Sequence, residues 1–196
     1  MARRDTPEIN AGSMADIAFL LLIFFLVTTT MDTDIGISRK LPEKQDPNVV
    51  PPVLKEKNVF EVNVNRNDEI LVEGNEYMQV KDLREAAIKF IDNGGGTAAE
   101  LQNAGLTVCS WCEGDKDPAS SDHPKKAVIS LQSDRGTSYA MYVAVQNELV
   151  GAYTDLRNKY AKKKFGRSFD ELTGKQQQEI TTNIYPQIIS EAEPTK

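Results

Sequence analysis

The sequence has few of the side chains from which metal and redox centres are built. It contains one histidine and two cysteines in 196 residues. Cys109, Cys112 and His123 are too few ligands for a closed metal site, unless aspartates in the same stretch join them. Those aspartates are Asp115, Asp117 and Asp122. We therefore expect no metal site. Our expectation for the whole chain is also no cofactor and no enzyme activity.

An excess of positive charge is also absent. The chain has 23 Lys and Arg against 29 Asp and Glu, for a formal net charge of −6. Proteins that bind nucleic acids usually present a basic surface, because they must neutralise phosphates. We therefore exclude nucleic acid from the expected partners.

Long apolar runs are equally scarce, since the chain has only one, residues 17–27. With its weakly polar flanks, the segment 11–31 can form a helix of about 21 residues, which spans roughly 30 Å of hydrocarbon. No second run of this length follows. The sequence predicts a membrane protein with a single transmembrane helix.

The charges beside this segment predict its orientation. Arg3 and Arg4 precede it, and Asp32 and Asp34 follow it. Positive charge favours the cytoplasmic side, so residues 1–10 should be cytoplasmic and the rest exported across the membrane. A cleaved signal peptide is the alternative. Asp16 before the apolar run and the lack of a small-x-small cleavage motif favour an uncleaved anchor.

Asp16 is the most informative residue of this segment. An ionised carboxylate toward the middle of a membrane helix costs about 2.5–3.5 kcal/mol on insertion scales, so such residues are rare and usually face a partner or a water-filled path. We interpret Asp16 as a proton-transfer site. The alternative is a shallow position near the headgroups, where the helix dipole favours a carboxylate.

Asp16 shares one face of the helix with four other residues. At helical spacing this face carries Ser13, Leu20, Ile23 and Val27, and we predict that it contacts partner helices. Thr28, Thr29 and Thr30 are candidates for a polar exit path. Hydroxyls in membrane helices nevertheless bond back to backbone carbonyls more often than they line a path.

The chain beyond the helix divides into a linker and one small domain. Prolines and charges in 32–57 indicate an extended, semi-rigid linker. A globular domain is expected over 58–190, with an insertion or long loop at about 92–124 and a disordered tail at 191–196. The predicted fold is a single N-terminal transmembrane helix plus a small α+β periplasmic domain, a sheet with two main helices packed on it.

Alternation and helical spacing predict the elements of this domain. Residues 59–65 and 69–73 read as a β-hairpin, with Asn75 and Glu76 closing the second strand. Residues 80–91 read as a helix, 127–132 as a buried strand, and 187–190 as a last strand after a short polar helix. A long helix should start after Thr137 or Ser138 and pack through a stripe made of Tyr139, Tyr142, Val143, Gln146, Leu149, Ala152, Tyr153 and Leu156.

The two cysteines form a Cys109-Ser-Trp-Cys112 pair. In an exported domain a local disulfide is the first interpretation, and free thiols are the second. A redox-active pair is a third, although the strand-to-helix context of thioredoxin-like sites is missing. His123 precedes Pro124 and is most simply a loop residue.

Several of these segments together resemble the ExbD/TolR family of energy-transducing proteins. The similar parts are the helix Asp16-Ile-Ala-Phe-Leu-Leu-Leu-Ile-Phe-Phe-Leu-Val-Thr-Thr, the later Leu41-Pro42, and the strand 127–134 followed by Tyr139. The chain differs from the common pattern in two ways. It has Ser13-Met-Ala15 where many members carry a proline, and it has the 92–124 insertion with its cysteines.

The resemblance implies a function and a set of partners. A dimer of such helices would lie inside a ring of multi-spanning ExbB-like subunits, with Asp16 carrying protons. The exported domain would act on a TonB-like transducer of outer-membrane transport, or in a Tol-like system that maintains the envelope. Peptidoglycan is a further candidate contact.

Two other classes of function remain open from the sequence. A signal-anchored periplasmic binding module would use the helix only as a tether. A membrane-anchored thiol–disulfide protein would depend on Cys109 and Cys112 rather than on Asp16.

Overall fold

The computed structural model describes residues 11–28, 54–74 and 76–192. The chain divides into two compact units, Met1–Val50 and Pro51–Lys196. In the first unit the described part is one helix, α1, Ala11–Thr28. The second unit is a mixed sheet packed with helices. The predicted fold class, one apolar helix followed by a small α+β domain, is confirmed.

The second unit is built on a single five-stranded sheet with the order β3-β2-β1-β4-β5. Its strands are β1 Val59–Val64, β2 Ile70–Val72, β3 Glu76–Met78, β4 Val128–Ser133 and β5 Ile189–Glu191. The pairs β1–β2 and β2–β3 are antiparallel. The pairs β1–β4 and β4–β5 are parallel. The central strand is therefore β1, and it bonds to neighbours on both sides.

The predicted hairpin is confirmed as β1 and β2. The Asn65 side chain accepts hydrogen bonds of 2.9 Å from the backbone N–H of both Asn67 and Glu69, which fixes the turn. The prediction that Glu76 closes the second strand is wrong, because Glu76 begins β3. Glu73 and Gly74 make a tight turn with positive φ angles between β2 and β3. Because this turn is so short, the sequence shows β2 and β3 as one strand.

The described residues of the second unit form four α-helices, of which α2 and α4 are the two main ones. They are α2 Val80–Ile91, α3 Ala98–Gln102, α4 Tyr139–Phe165 and α5 Gly174–Glu179. Helices α2 and α4 contact each other and contribute to one hydrophobic core with the strands. The helix predicted over 80–91 is confirmed. Helix α3 was not predicted, because its five residues show too little periodicity.

The long helix α4 begins where the sequence indicates. The Ser138 hydroxyl caps it by accepting from the Met141 N–H at 3.2 Å, and Gly166 ends it in the left-handed conformation. The stripe is buried from Gln146 to Leu156. The prediction that Tyr139 belongs to this packed stripe is wrong, because Tyr139 is 78% exposed. It lies in the first turn of α4 and stacks on Tyr142 with ring centroids 6.4 Å apart.

The chain after α5 returns to the sheet through a π-helical turn, Ile180–Ile184, and Pro186. The predicted last strand is confirmed as β5, although it includes Glu191, which the sequence assigned to the tail. Residues 193–196 of that tail lie outside the described residues, as does most of the predicted linker. The described end of the linker, from Leu54 to Lys57, belongs to the second unit, where Lys55 and Lys57 form ion pairs with Glu100.

The predicted insertion, 92–124, is attached to the domain rather than looping away from it. Both ends are buried, at 92–94 and at 121–124. Thr97 and Glu100 form a capping box that starts α3, and Leu101 joins the interior. Most of the remaining residues have no helix or strand, and side chains and turns hold them in place.

Candidate functional site

Helix α1 is the described segment that has the length and composition to cross a membrane. No residue of α1 is buried, and its Leu, Ile and Phe side chains are about half exposed or more, with Ile23 the least at 41%. An apolar helix in water would normally bury one face against the rest of its protein. A helix that is apolar on every face instead suits an environment of lipid or of other membrane helices.

Asp16 is the sole ionisable side chain between Ala11 and Thr28. It is five residue steps beyond Ala11, the first residue of the helix, so it lies about 7.5 Å along the axis, roughly a quarter of the way. This is one turn deeper than Gly12. Asp16 is exposed, so its carboxylate is open to whatever surrounds the helix.

The face predicted to contact partners is formed in the helix as expected from its geometry. Ser13, Leu20, Ile23 and Val27 fall with Asp16 within an arc of about 80° at 100° per residue. All of them are exposed. Whether they contact other helices stays a prediction.

Of the three candidates for a polar exit path, Thr28 is described by the structure. Thr28 Oγ1 donates to the Phe24 carbonyl oxygen at 2.8 Å, and the Phe25 carbonyl oxygen lies 3.4 Å away. The hydroxyl proton of Thr28 is therefore used within the helix backbone, which is the common arrangement for threonine in a membrane helix. Thr29 and Thr30 lie outside the described residues.

The cysteines lie far along the sequence from Asp16, in the second unit. Cys109 and Cys112 form a disulfide, with Cα atoms 5.5 Å apart. Both are nearly inaccessible, at 2% and 6% exposure. An attacking thiolate needs access to a sulfur, so this disulfide is poorly suited to thiol–disulfide exchange.

His123 lies in a loop, as the sequence suggests, but it is buried, with 2% exposure. Its ring packs edge-on against Trp111, with centroids 5.6 Å apart, and Nδ1 accepts from the Lys125 N–H at 3.0 Å. Burial, together with the charges of Lys125 and Lys126, lowers the pKa of His123 to about 4. The imidazole is therefore neutral at physiological pH. Among the described residues no group of three or more His, Cys, Asp or Glu is placed to hold a metal ion.

The sequence did not indicate how the insertion is bonded to the domain. Glu113 forms ion pairs of 2.6 Å with both Lys159 and Lys163 of α4. The hydrogen bonds from these lysines lower the pKa of Glu113 to about 2. The basic end of α4 is thus partly paired within the domain.

A second buried attachment joins α2 to the segment before β5. Asp92, just after α2, accepts from the Tyr185 hydroxyl at 2.6 Å and from the Glu113 N–H at 3.2 Å. Burial raises the pKa of Asp92, and the hydrogen bond from Tyr185 opposes this. The segment Asp92-Asn-Gly-Gly-Gly96 reads in sequence as a helix stop, so the sequence does not reveal that Asp92 makes these buried contacts.

A third attachment lies where the chain enters the domain. Asp122, which is fully buried, forms an ion pair of 2.5 Å with Lys57 and accepts from the Asn58 amide at 3.0 Å. Burial raises the pKa of Asp122, but the hydrogen bonds from Lys57 and Asn58 outweigh it, so the net pKa lies below its ordinary value. The partners are 64 positions apart, and no local pattern predicts such a pair.

Comparison with known proteins bears on the chain as a whole. The family profile described as Biopolymer transport protein ExbD/TolR matches residues 2–157. The match includes α1 with Asp16, the hairpin, α2, β4 and most of α4. A search of curated proteins returned no match.

Proposed function

Because the chain belongs to the ExbD/TolR family of biopolymer transport proteins, we propose that it is a proton-driven energy transducer of the bacterial inner membrane. In this proposal Asp16 takes up and releases the protons. The family consists of transport proteins that are not enzymes, and its members typically work with ExbB- or TolQ-type partners.

The observation that carries the proposal is the single carboxylate in α1. Asp16 lies within a helix that is otherwise uncharged and apolar on every face. Because a carboxylate in hydrocarbon is costly, it marks a proton or ion path more often than a structural position. One helix cannot enclose a polar path alone, so the rest of the site must come from other helices.

The arrangement of α1 supports a specific set of partners. We propose a homodimer of α1 helices inside a ring of multi-spanning ExbB-like subunits, with the face of Ser13, Leu20, Ile23 and Val27 against them. A protonated Asp16 can lie against an apolar wall, whereas the ionised form stays near a polar partner. Protonation would thus bias the position of the helix.

The energy available is sufficient for such a change. Moving one elementary charge across the membrane supplies about 2.3 kcal/mol per 100 mV. Two conformations that differ by a few kcal/mol change population strongly when the balance shifts by this amount. Residues 1–10 would be cytoplasmic, and the second unit would carry the movement into the periplasm.

The process that is powered has two candidates within the family. The first is outer-membrane transport through a TonB-like transducer, and the second is envelope maintenance of the TolR type, with peptidoglycan as a further contact.

The two alternative classes of function are less well supported. A signal-anchored binding module does not require a charge in the helix. A thiol–disulfide protein requires accessible sulfurs, and burial of Cys109 and Cys112 argues against it.

We predict that Asp16→Asn abolishes function while the protein remains in the membrane at its normal amount. The amide is similar in shape but does not exchange a proton in this pH range, so only the proton chemistry is removed. The measurement is growth and outer-membrane uptake in cells of the source organism whose only copy is the variant. Asp34→Asn, the same change outside the apolar segment, is the control and should behave as wild type.

Purification in mild detergent tests the partners at the same time. A multi-spanning membrane protein should purify with the wild-type chain. Wild-type growth of the Asp16→Asn cells would refute Asp16 as the proton carrier. Purification of the chain without any multi-spanning protein would refute the proposed ring.

A further inference from the structure

We infer that the 92–124 insertion anchors the linker where it enters the domain, so that a pull on the linker reaches α2 and α4 as well as β1. The inference rests on the proposed function, in which movement of α1 passes along the chain to the second unit. It assigns a mechanical role to a segment that departs from the common family pattern.

The anchor is a set of three residues, Lys57, Asn58 and Asp122, which we call the linker clamp. One carboxylate oxygen of Asp122 forms an ion pair with Lys57 at 2.5 Å, and the other accepts a hydrogen bond from the Asn58 amide at 3.0 Å. The Asp122 N–H returns a hydrogen bond of 2.7 Å to Asn58 Oδ1. The linker side is therefore held through the side chains of Lys57 and Asn58, and the insertion side through both the side chain and the backbone of Asp122.

Burial makes these contacts difficult to exchange for water. Asp122 is fully buried and Asn58 is 3% exposed, whereas Lys57 is partly accessible, with 22% of its side chain exposed. Separating a buried carboxylate from its partners leaves an uncompensated charge, which is strongly unfavourable. Contacts between Lys57 and Glu100 at 3.5 Å and between Lys55 and Glu100 at 2.8 Å extend the attachment to α3.

The insertion passes the attachment on to the body of the domain. The Gly96 N–H donates to the Asp122 carbonyl oxygen at 3.0 Å, and the Asn93 amide donates to the Ser121 carbonyl oxygen at 2.8 Å. These bonds join the linker clamp to the end of α2. The Glu113 ion pairs then join the same insertion to α4.

The position of β1 shows why such an anchor matters. Strand β1 begins at Val59, directly after Asn58, and its first residue pairs with Val128 of β4. Without the linker clamp, a pull on Leu54 would act first on this end of β1. With it, the pull is shared between the central strand and the insertion.

The test uses the full chain in detergent and in cells. Asp122→Asn keeps the size of the side chain but removes the charge that pairs with Lys57, and Lys57→Met removes the other partner while leaving the bonds between Asn58 and Asp122. Asp115→Asn removes a charge from an exposed position of the same insertion and serves as control. Hydrogen–deuterium exchange is followed in peptides covering 54–60 and 120–124, and growth is measured at equal protein amount.

We expect exchange in both peptides to become roughly tenfold faster or more in Asp122→Asn, because a charge-assisted hydrogen bond is lost. Growth that depends on the protein should fall, with Lys57→Met showing the same direction and Asp115→Asn matching wild type. Unchanged exchange in both variants, or faster exchange with normal growth, would overturn the inference. Asp16→Asn cells are grown in parallel. Their growth tests the proposed proton carrier, whereas exchange and growth of Asp122→Asn and Lys57→Met test the linker clamp.

Discussion

At the scale of single residues, two of the three glycines after α2, Gly95 and Gly96, are explained by close backbone contact. A Cβ at Gly95 would lie 2.0 Å from the Asp117 carbonyl oxygen, and one at Gly96 would lie 2.7 Å from the Asp122 carbonyl oxygen. The glycines therefore let the returning part of the insertion, 117–122, approach α2. The sequence showed a helix stop there, but the partner of the glycines is more than 20 positions away and leaves no local signal.

Gly95→Ala should destabilise the domain by about 1–3 kcal/mol or more, because backbone atoms must move to accept the methyl group. Urea unfolding of the full chain in detergent, followed by the fluorescence of Trp111, measures this. The matched control is Gly174→Ala, where a Cβ meets nothing within 4 Å and the residue is helical. That variant should be unchanged or slightly more stable, and equal stability of the two variants would contradict the packing argument.

At the scale of elements, the sequence predicted the helices and strands that have a short-range pattern of apolar and polar residues. The hairpin, α2, β4, the start of α4 and the last strand follow from alternation, helical spacing and caps. β3 and α3 are too short to show a period, and the pairing of β4 between β1 and β5 depends on distant contacts. The insertion was the least predictable segment, since polar contacts such as Glu113 with Lys159 hold it in place of a periodic apolar face.

Glu113→Gln should lower the thermal stability of the domain at pH 7, and the difference from wild type should disappear in acid. The pKa of Glu113 is lowered to about 2 by Lys159 and Lys163. A carboxyl group with a depressed pKa stabilises the fold above its unfolded value, near 4.5, and this contribution is lost as the pH falls toward 2.

Thermal unfolding at a series of pH values measures this difference between Glu113→Gln and wild type. Raised salt should shrink it at pH 7, because the pairs are partly exposed. Glu85→Gln, which disrupts only an exposed pair within α2, should show little effect at any pH. A Glu113→Gln difference that persists below pH 2 would contradict the assignment to these ion pairs.

At the scale of the whole molecule, the candidate proton site and the cysteine pair belong to different units. The carboxylate of α1 and its face were evident from the sequence, because charge in an apolar run is a strong signal. The surroundings of Asp16 could not be predicted in the same way, since in the proposed function the helices around it belong to other chains. The disulfide closes a loop of only four residues, which limits how much it can restrict the unfolded chain.

The double variant Cys109→Ala/Cys112→Ala should therefore fold and retain function. Chain entropy for so short a loop corresponds to about 2 kcal/mol of stability. Urea unfolding and the growth assay measure the two outcomes, with Ser110→Ala as a control in the same loop. Complete loss of growth by a stable double variant would instead favour a thiol–disulfide role.

The strand order also sets when the domain can form during synthesis. The central strand β1 pairs in parallel with β4, and Val59 meets Val128 only after the whole of α2 and the insertion have been made. β5 pairs with β4 only once Glu191 is available. Such distant pairing is slow because the entropy of a long loop must be lost before the stabilising contacts between the strands can form. The growing chain will thus remain without its full sheet until β5 has been made, a period in which exposed strand edges favour aggregation and chaperones are most needed.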